Sequence, residues 1–160
     1  MEGNTLYKMK EKIPQILELL PYSDPFLFVD EIKELDESRI IGTYTIKKDE
    51  HYFRGHFKEK PIVPGVIITE IMAQIGLVSF GIGLLLKQFD EHPEKGNKEI
   101  LPVFSNFHVE FVNAVGPGAK LTIESKKVFF RLGKLFCKVK CMHEETIVAR
   151  GELGGVLISK

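Results

Sequence analysis

Gly55-His56-Phe57-Lys58-Glu59-Lys60-Pro61-Ile62-Val63-Pro64-Gly65, running on as Val66-Ile67-Ile68-Thr69-Glu70-Ile71-Met72-Ala73-Gln74, is the stretch whose reading decides the fold. It sets a histidine in a glycine-flanked turn, then Pro64-Gly65, then a long apolar run. Proline suits the first turn of a helix, where its missing N–H would have no acceptor anyway. The spacing therefore predicts a helix from about residue 64 to about residue 87. Between residues 66 and 86 the one ionisable side chain is Glu70, and apolar residues fall on every face. A helix apolar all round is enclosed, either in a protein core or in lipid. The run has the length of a bilayer span, about 20 residues. However, Glu70 and Gln74 within it would be costly in hydrocarbon. A central helix wrapped by a sheet accounts for the same hydrophobicity, and no membrane span is expected.

Around that helix the rest of the chain reads mostly as strands. Residues 13–20 (IPQILELL) form a short amphipathic helix stopped by Pro21. Residues 26–32 and 39–46 read as two strands joined through Asp36-Glu37-Ser38, which has good turn chemistry. Residues 49–53 make a helical turn leading to His56, and residues 88–98, with Pro93 and Gly96-Asn97, a polar loop. Four more strands follow, over 103–113, 120–131, 135–142 and 146–158. Gly116-Pro117-Gly118 and Leu132-Gly133-Lys134 supply turns between them. Leu135, Cys137, Val139 and Cys141 alternate with Lys138 and Lys140, the period-2 pattern of a sheet with one buried and one wet face. Gly151, Gly154 and Gly155 in the last strand indicate bulges or close backbone approach. The expectation is one α+β domain over residues 1–160, an antiparallel sheet around a long central helix, with residues 1–11 loosely anchored.

Composition narrows the function classes. The chain has 22 basic and 22 acidic residues, so nothing draws it as a whole to nucleic acid or an anionic membrane. Charge is uneven, though: residues 120–140 carry seven bases (Lys120, Lys126, Lys127, Arg131, Lys134, Lys138, Lys140) against Glu124 alone. That run reads as a solvated strand face or as a landing surface for an acidic partner. Cys137 and Cys141, four apart on a strand, place their α-carbons about 13 Å from each other, beyond disulfide reach. They read as free core thiols of a reducing compartment. The first twelve residues lack the apolar core of a signal peptide, so the cytoplasm is the expected location. No cysteine and histidine spacing matches a zinc site.

The chemistry rests on two side chains. Burial disfavours the charged form of Glu70 and raises its pKa, and a carboxyl kept protonated is a general acid. His56 can serve as the complementary base. The helix amino end between them offers N–H groups and the positive end of a dipole to a developing oxyanion. A base, a neutral acid and an oxyanion site suit proton abstraction alpha to a carbonyl with loss of a beta-hydroxyl, which is dehydration.

GHF, KP-x-x-PG and E-x-M-A-Q, in this order and at these intervals, resemble the signature of the FabZ-type 3-hydroxyacyl carrier-protein dehydratases of the hotdog superfamily. The likeness spans roughly residues 14–158, with fainter echoes in PYSDPFLFVD, at Phe111 and at Pro117-Gly118. It implies a hotdog fold and a role for each site residue: His56 removes the C2 proton, and Glu70 protonates the departing 3-hydroxyl. The Gly65 N–H holds the thioester oxygen, with Phe57 beside the thioester. No metal or organic cofactor is implied. The partner is an acyl carrier protein bearing the substrate, with coenzyme A as the other thioester carrier. The resemblance also implies a homodimer whose sites each take histidine and acid from different subunits, with three dimers as a further assembly.

The sequence departs from the family pattern in four places. Tyr22-Ser23-Asp24 stands for the usual His-Arg-Tyr, and Lys58-Glu59 for Pro-Gly. Leu101-Pro102 falls where many relatives carry a gating tyrosine, and Val112-Asn113 replaces a basic pair. A hotdog thioesterase or a non-catalytic acyl-binding subunit would use the same fold. The thioesterase leaves the GHF histidine without a purpose, and a pure binding site gains nothing from burying an acid. His51, His92, His108 and His143 read as structural or surface residues.

Overall fold

The computed structural model describes residues 9–93 and 100–159. A short helix, α1 (Ile13–Leu19), precedes two strands, β1 (Glu31–Leu35) and β2 (Arg39–Thr45). A 3-10 turn at His51–Arg54 leads into the long helix α2 (Gly65–Glu91). Four strands complete the chain: β3 (Ile100–Phe111), β4 (Lys120–Arg131), β5 (Lys134–His143) and β6 (Thr146–Ser159). The strands form one antiparallel sheet in the order β1-β2-β4-β5-β6-β3. The sheet curls around α2, as the hotdog expectation requires.

α2 is the core of the molecule. Residues 71–86 are buried without a break, and Glu70 is the half-buried residue just before them. The helix is long and apolar enough to span a bilayer, yet 78% of its most apolar window is enclosed by protein. Its middle, Gln74–Ser79, is a π segment between α-helical ends at Gly65–Ala73 and Phe80–Glu91. A π register shifts the backbone bonding pattern and is frequent at functional sites. Here two hydroxyls serve the carbonyls it involves: Ser79 Oγ donates to Gln74 O and Ser125 Oγ to Gly76 O, each at 2.7 Å. The helix and sheet lie very close at Gly76, where an added Cβ would come within 3.0 Å of the Ser125 Cβ.

The alternation seen in the sequence is realised on β5. Leu135, Cys137, Val139 and Cys141 are buried against α2, and burial pushes the two thiols up to about 11 and about 12. Both cysteines are free. Thiols held protonated in this way are poor nucleophiles. The glycines of β6 mark close backbone approach, as expected. A Cβ on Gly151 would sit 1.9 Å from the His108 carbonyl oxygen of β3, and one on Gly155 2.8 Å from Leu77.

Several expectations need correction. Residues 26–30 are not strand, because the backbone of Phe26 and Phe28 pairs with the Gln74 side chain and not with a neighbouring strand. β1 therefore begins at Glu31 and is five residues long. α2 continues one turn past Lys87 to Glu91, where Lys87 bridges to Glu91 at 2.9 Å. The loop expected over 88–98 begins only after that turn, and residues 94–99 of it lie outside the described residues. β3 begins at Ile100 and ends at Phe111, three residues earlier than expected at its start and two at its end. Of the amino-terminal segment expected to be loose, residues 1–8 lie outside the described residues, whereas Met9 is 1% exposed and part of the core.

Candidate active site

His56 follows the 3-10 turn, and backbone bonds fix it on both sides. Its N–H donates to Tyr52 O at 2.8 Å, and its carbonyl accepts from Ile62 N at 2.9 Å. The ring is oriented by the same residue, with Nδ1 lying 2.9 Å from Ile62 O. A carbonyl only accepts, so Nδ1 carries the hydrogen and Nε2 presents its lone pair outward. The imidazole stacks on Phe57, with ring centroids 4.1 Å apart and planes at 26°. The His56–Phe57 peptide is cis. Behind the turn lies a buried polar group, in which Tyr44 Oη donates to Glu50 at 3.1 Å and Glu50 O accepts from Phe53 N.

Gly65 opens α2, with Pro64 as the extended residue before it. As a first-turn residue, Gly65 has an N–H with no acceptor inside the helix. A side chain here would strike Phe111 of β3, whose ring would lie 2.9–3.2 Å from an added Cβ. Glycine thus lets an aromatic ring close over the helix start. The preceding residues are held by Val63 N bonding to Val115 O at 2.9 Å.

Glu70 stands one and a half turns along the helix, at the rim of the core. Burial raises its carboxyl above the ordinary value of 4.5, and the hydrogen bond from Gln74 opposes the shift only in part. Gln74 is fully buried and three times bonded. Its Nε2 donates to Glu70 Oε1 at 2.9 Å and to Phe26 O at 3.0 Å, and its Oε1 accepts from Phe28 N at 2.8 Å. One amide therefore ties the acid to the arm that crosses the helix. The sequence held a signal for this role, a buried amide four residues from the acid on one helical face, although Gln74 was not expected as a site residue.

The structure joins the four anticipated residues in two groups, His56 with Phe57 and Gly65 with Glu70 on α2. Among the described residues no hydrogen bond or ion pair connects His56 with Glu70. Phe57, Val66, Phe107 and Phe111 remain 56%, 75%, 59% and 51% exposed. Phe107 and Phe111 lie opposite the buried Leu153 and Ala149 of β6. They therefore share the inner face of the sheet at its β3 edge, with Phe111 against the start of α2. The basic run of the sequence looks different in three dimensions. Glu124 of β4 lies opposite Lys140 and Glu152 of β6 opposite Lys138, while Lys126 also faces Lys138, so acids stand across from two of its lysines.

Comparison with known proteins agrees with this architecture. A family model described as a FabA-like domain matches residues 20–151. A FabZ 3-hydroxyacyl-(acyl-carrier-protein) dehydratase of Ruminiclostridium cellulolyticum is 36% identical over 141 residues, spanning 87% of this chain and 92% of the relative. One from Caldicellulosiruptor bescii is 37% identical over 145 residues, spanning 88% and 94%. Among solved structures, the dehydratase heterocomplex ApeI:P of Xenorhabdus doucetiae superposes with a TM-score of 0.69 at 16% identity, covering 91% of each chain. A hypothetical thioesterase of Streptococcus pneumoniae, solved with coenzyme A, gives a TM-score of 0.57 at 14% identity over 81% of this chain and 86% of that one. At such identities the two structures speak for the fold. The family model over residues 20–151 and the relatives at 36% and 37% identity place this chain in the FabA-like family, alongside the FabZ dehydratases of the hotdog superfamily.

Proposed function

We propose that this protein dehydrates a 3-hydroxyacyl thioester, carried on an acyl carrier protein, to the trans-2-enoyl thioester. The observation that carries the reading is the pairing of opposite chemistries. Burial raises the pKa of the Glu70 carboxyl and so favours its protonated form, and an imidazole has its Nε2 lone pair freed by the Ile62 carbonyl. In the reaction Nε2 of His56 takes the C2 proton, and the C2–H electron pair becomes the C2–C3 double bond. The C3–O bond breaks, Glu70 gives its proton to the departing oxygen, and water leaves. The Gly65 N–H bonds the thioester oxygen while it carries negative charge, and donors preorganised there stabilise the transition state more than the ground state. Afterwards His56 holds one proton more and Glu70 one fewer, and a net transfer through water restores both. Phe57, stacked on the imidazole, lies beside the thioester.

The working unit in this reading is a homodimer in which His56 of one protomer faces Glu70 of the other, with three dimers as a further assembly. In its favour stands β3, a twelve-residue edge strand bonded on one side to β6 and lined with exposed aromatics. A long apolar edge is a template for pairing with a second chain. The chain is read as one domain, working in the cytoplasm without a metal or organic cofactor. The test is incubation with a 3-hydroxyacyl thioester on carrier protein. Absorbance from the conjugated enoyl thioester is the expected result, and release of free thiol without it would overturn the proposal in favour of a thioesterase.

A further inference from the structure

Tyr52 Oη is, among the described residues, the one buried side-chain polar atom with no hydrogen-bond partner. A buried hydroxyl left unbonded is rare enough in a folded chain to call for a reason. It sits in the 3-10 turn His51–Arg54, beside the polar group behind His56. Glu50 heads that turn with its side chain turned inward, 8% exposed, and Tyr44 Oη of β2 donates to its Oε1 at 3.1 Å. Burial, and then the charge of Glu50, push both phenols up, so Tyr44 keeps the hydrogen it donates. Among the described residues this is the one side-chain hydrogen bond from residues 49–61 to the sheet. The turn carries it onward through backbone. Phe53 N–H donates to Glu50 O at 3.1 Å, and the Gly55 and His56 N–H groups both donate to Tyr52 O. Tyr44 is itself a fixed point, its ring edge-on to Phe28 with centroids 5.4 Å apart. The Phe28 N–H in turn bonds to Gln74, which also holds Glu70.

We propose that Glu50 is a positioning residue for the base, its side chain pinning the turn that carries His56 to Tyr44 of β2. The proposal rests on the dehydratase reading, because the positioned group is the base of that reaction. Within the chain the contacts run from Glu70 through Gln74, Phe28, Tyr44 and Glu50 to the turn of His56, so they register the base's turn against the helix bearing the acid. Ile62, which takes the Nδ1 hydrogen, is fastened separately, through its neighbour Val63 bonding to Val115 O at 2.9 Å. The imidazole therefore keeps that bond only while the turn keeps its place. A misplacement of about 1 Å at a reacting group can cost about 100-fold in rate. The unbonded Tyr52 hydroxyl follows from the same seating: drawing Glu50 inward takes the ring two residues on against the core with it. Glu50 touches no substrate in this account and acts through His56 alone.

The experiment is Tyr44→Phe in the full chain, which removes the donated hydrogen and keeps the ring, read by turnover and by nitrogen NMR of the His56 imidazole. The kcat should fall about tenfold while KM stays within about twofold. The His56 signals should pass from the single Nδ1–H tautomer to an exchanging mixture. Glu50→Leu should do the same, and Tyr44→Phe covers the case in which that variant does not fold. Glu50→Gln still offers an oxygen to Tyr44 and should recover most of the kcat and the single tautomer. Tyr52→Phe, which deletes the unbonded hydroxyl, should leave both readouts where they were. An unchanged His56 spectrum in Tyr44→Phe overturns the proposal. An equal loss in Tyr52→Phe overturns it too, because any change of packing under the turn would then suffice. The dehydratase reading is judged separately, by enoyl formation with the wild type. Without turnover, the His56 spectra of these variants still decide whether Glu50 positions the ring.

Discussion

At the scale of single residues, Glu70 and Gln74 act as one unit. Folding raises the Glu70 pKa, so the folded chain binds that proton more tightly than the unfolded one. Stability then falls as pH rises from the unfolded value through the folded one, the reverse of the usual carboxylate. Glu70→Gln removes this dependence. Its melting temperature should gain on the wild type as pH rises above about 4.5, while kcat drops about 10²–10⁴-fold through loss of the general acid. Melting curves across pH and enoyl absorbance check the two halves. In the dehydratase reading the protonated carboxyl is the active form, so the alkaline limb of the rate profile should belong to Glu70. Gln74→Leu should move that limb to higher pH, because the amide hydrogen bond now lowers the acid's pKa. It should also cost about 2–3 kcal/mol by leaving Phe28 N–H and Phe26 C=O without partners, read as a fall in the denaturant midpoint.

Among the elements, the contact between β6 and β3 is decided by backbone and not by side chains. Gly151 admits the His108 carbonyl oxygen to within 1.9 Å of where a Cβ would stand. No rotamer relieves that contact, so Gly151→Ala should cost about 3 kcal/mol or more and loosen β3 from the sheet. Thermal unfolding measures the loss, and faster amide exchange confined to β3 identifies its place. The glycine row was legible in the sequence as close approach, because a strand interior rarely carries three glycines without such a reason. What met them was not legible, because periodicity says nothing about strand order. The arm over residues 26–30 was read as strand from its β-rich composition. A glutamine far along the chain satisfies its backbone instead, and no local pattern reveals such a partner.

For the molecule as a whole, the question is what covers the apolar edge. Phe107→Glu should leave the chain folded by circular dichroism, convert dimer to monomer in sedimentation, and abolish enoyl formation. Mixing two dead proteins tests the sharing of sites directly. A heterodimer of His56→Ala with Glu70→Gln has one site with both residues intact only if base and acid come from different chains. An equimolar re-equilibrated mixture should then recover about a quarter of wild-type turnover, given random pairing in a symmetric dimer. Sites built within one chain would recover none.

The sequence by itself determined the enclosed helix and most strands of its wrapping sheet, and it singled out one acid in an apolar run and one histidine in a glycine-flanked turn. These follow from local periodicity, from one charge in an apolar run and from turn chemistry, all properties of neighbours along the chain. Only the tertiary structure decided that Ile62 sets the imidazole tautomer, that Phe111 closes over Gly65 and that Gln74 carries an arm of backbone on its amide. It alone set Glu152 of β6 across from Lys138 of the basic run. Each of these pairs residues that meet because the chain folds back on itself, and such meetings are fixed by packing and topology, which composition and spacing do not encode.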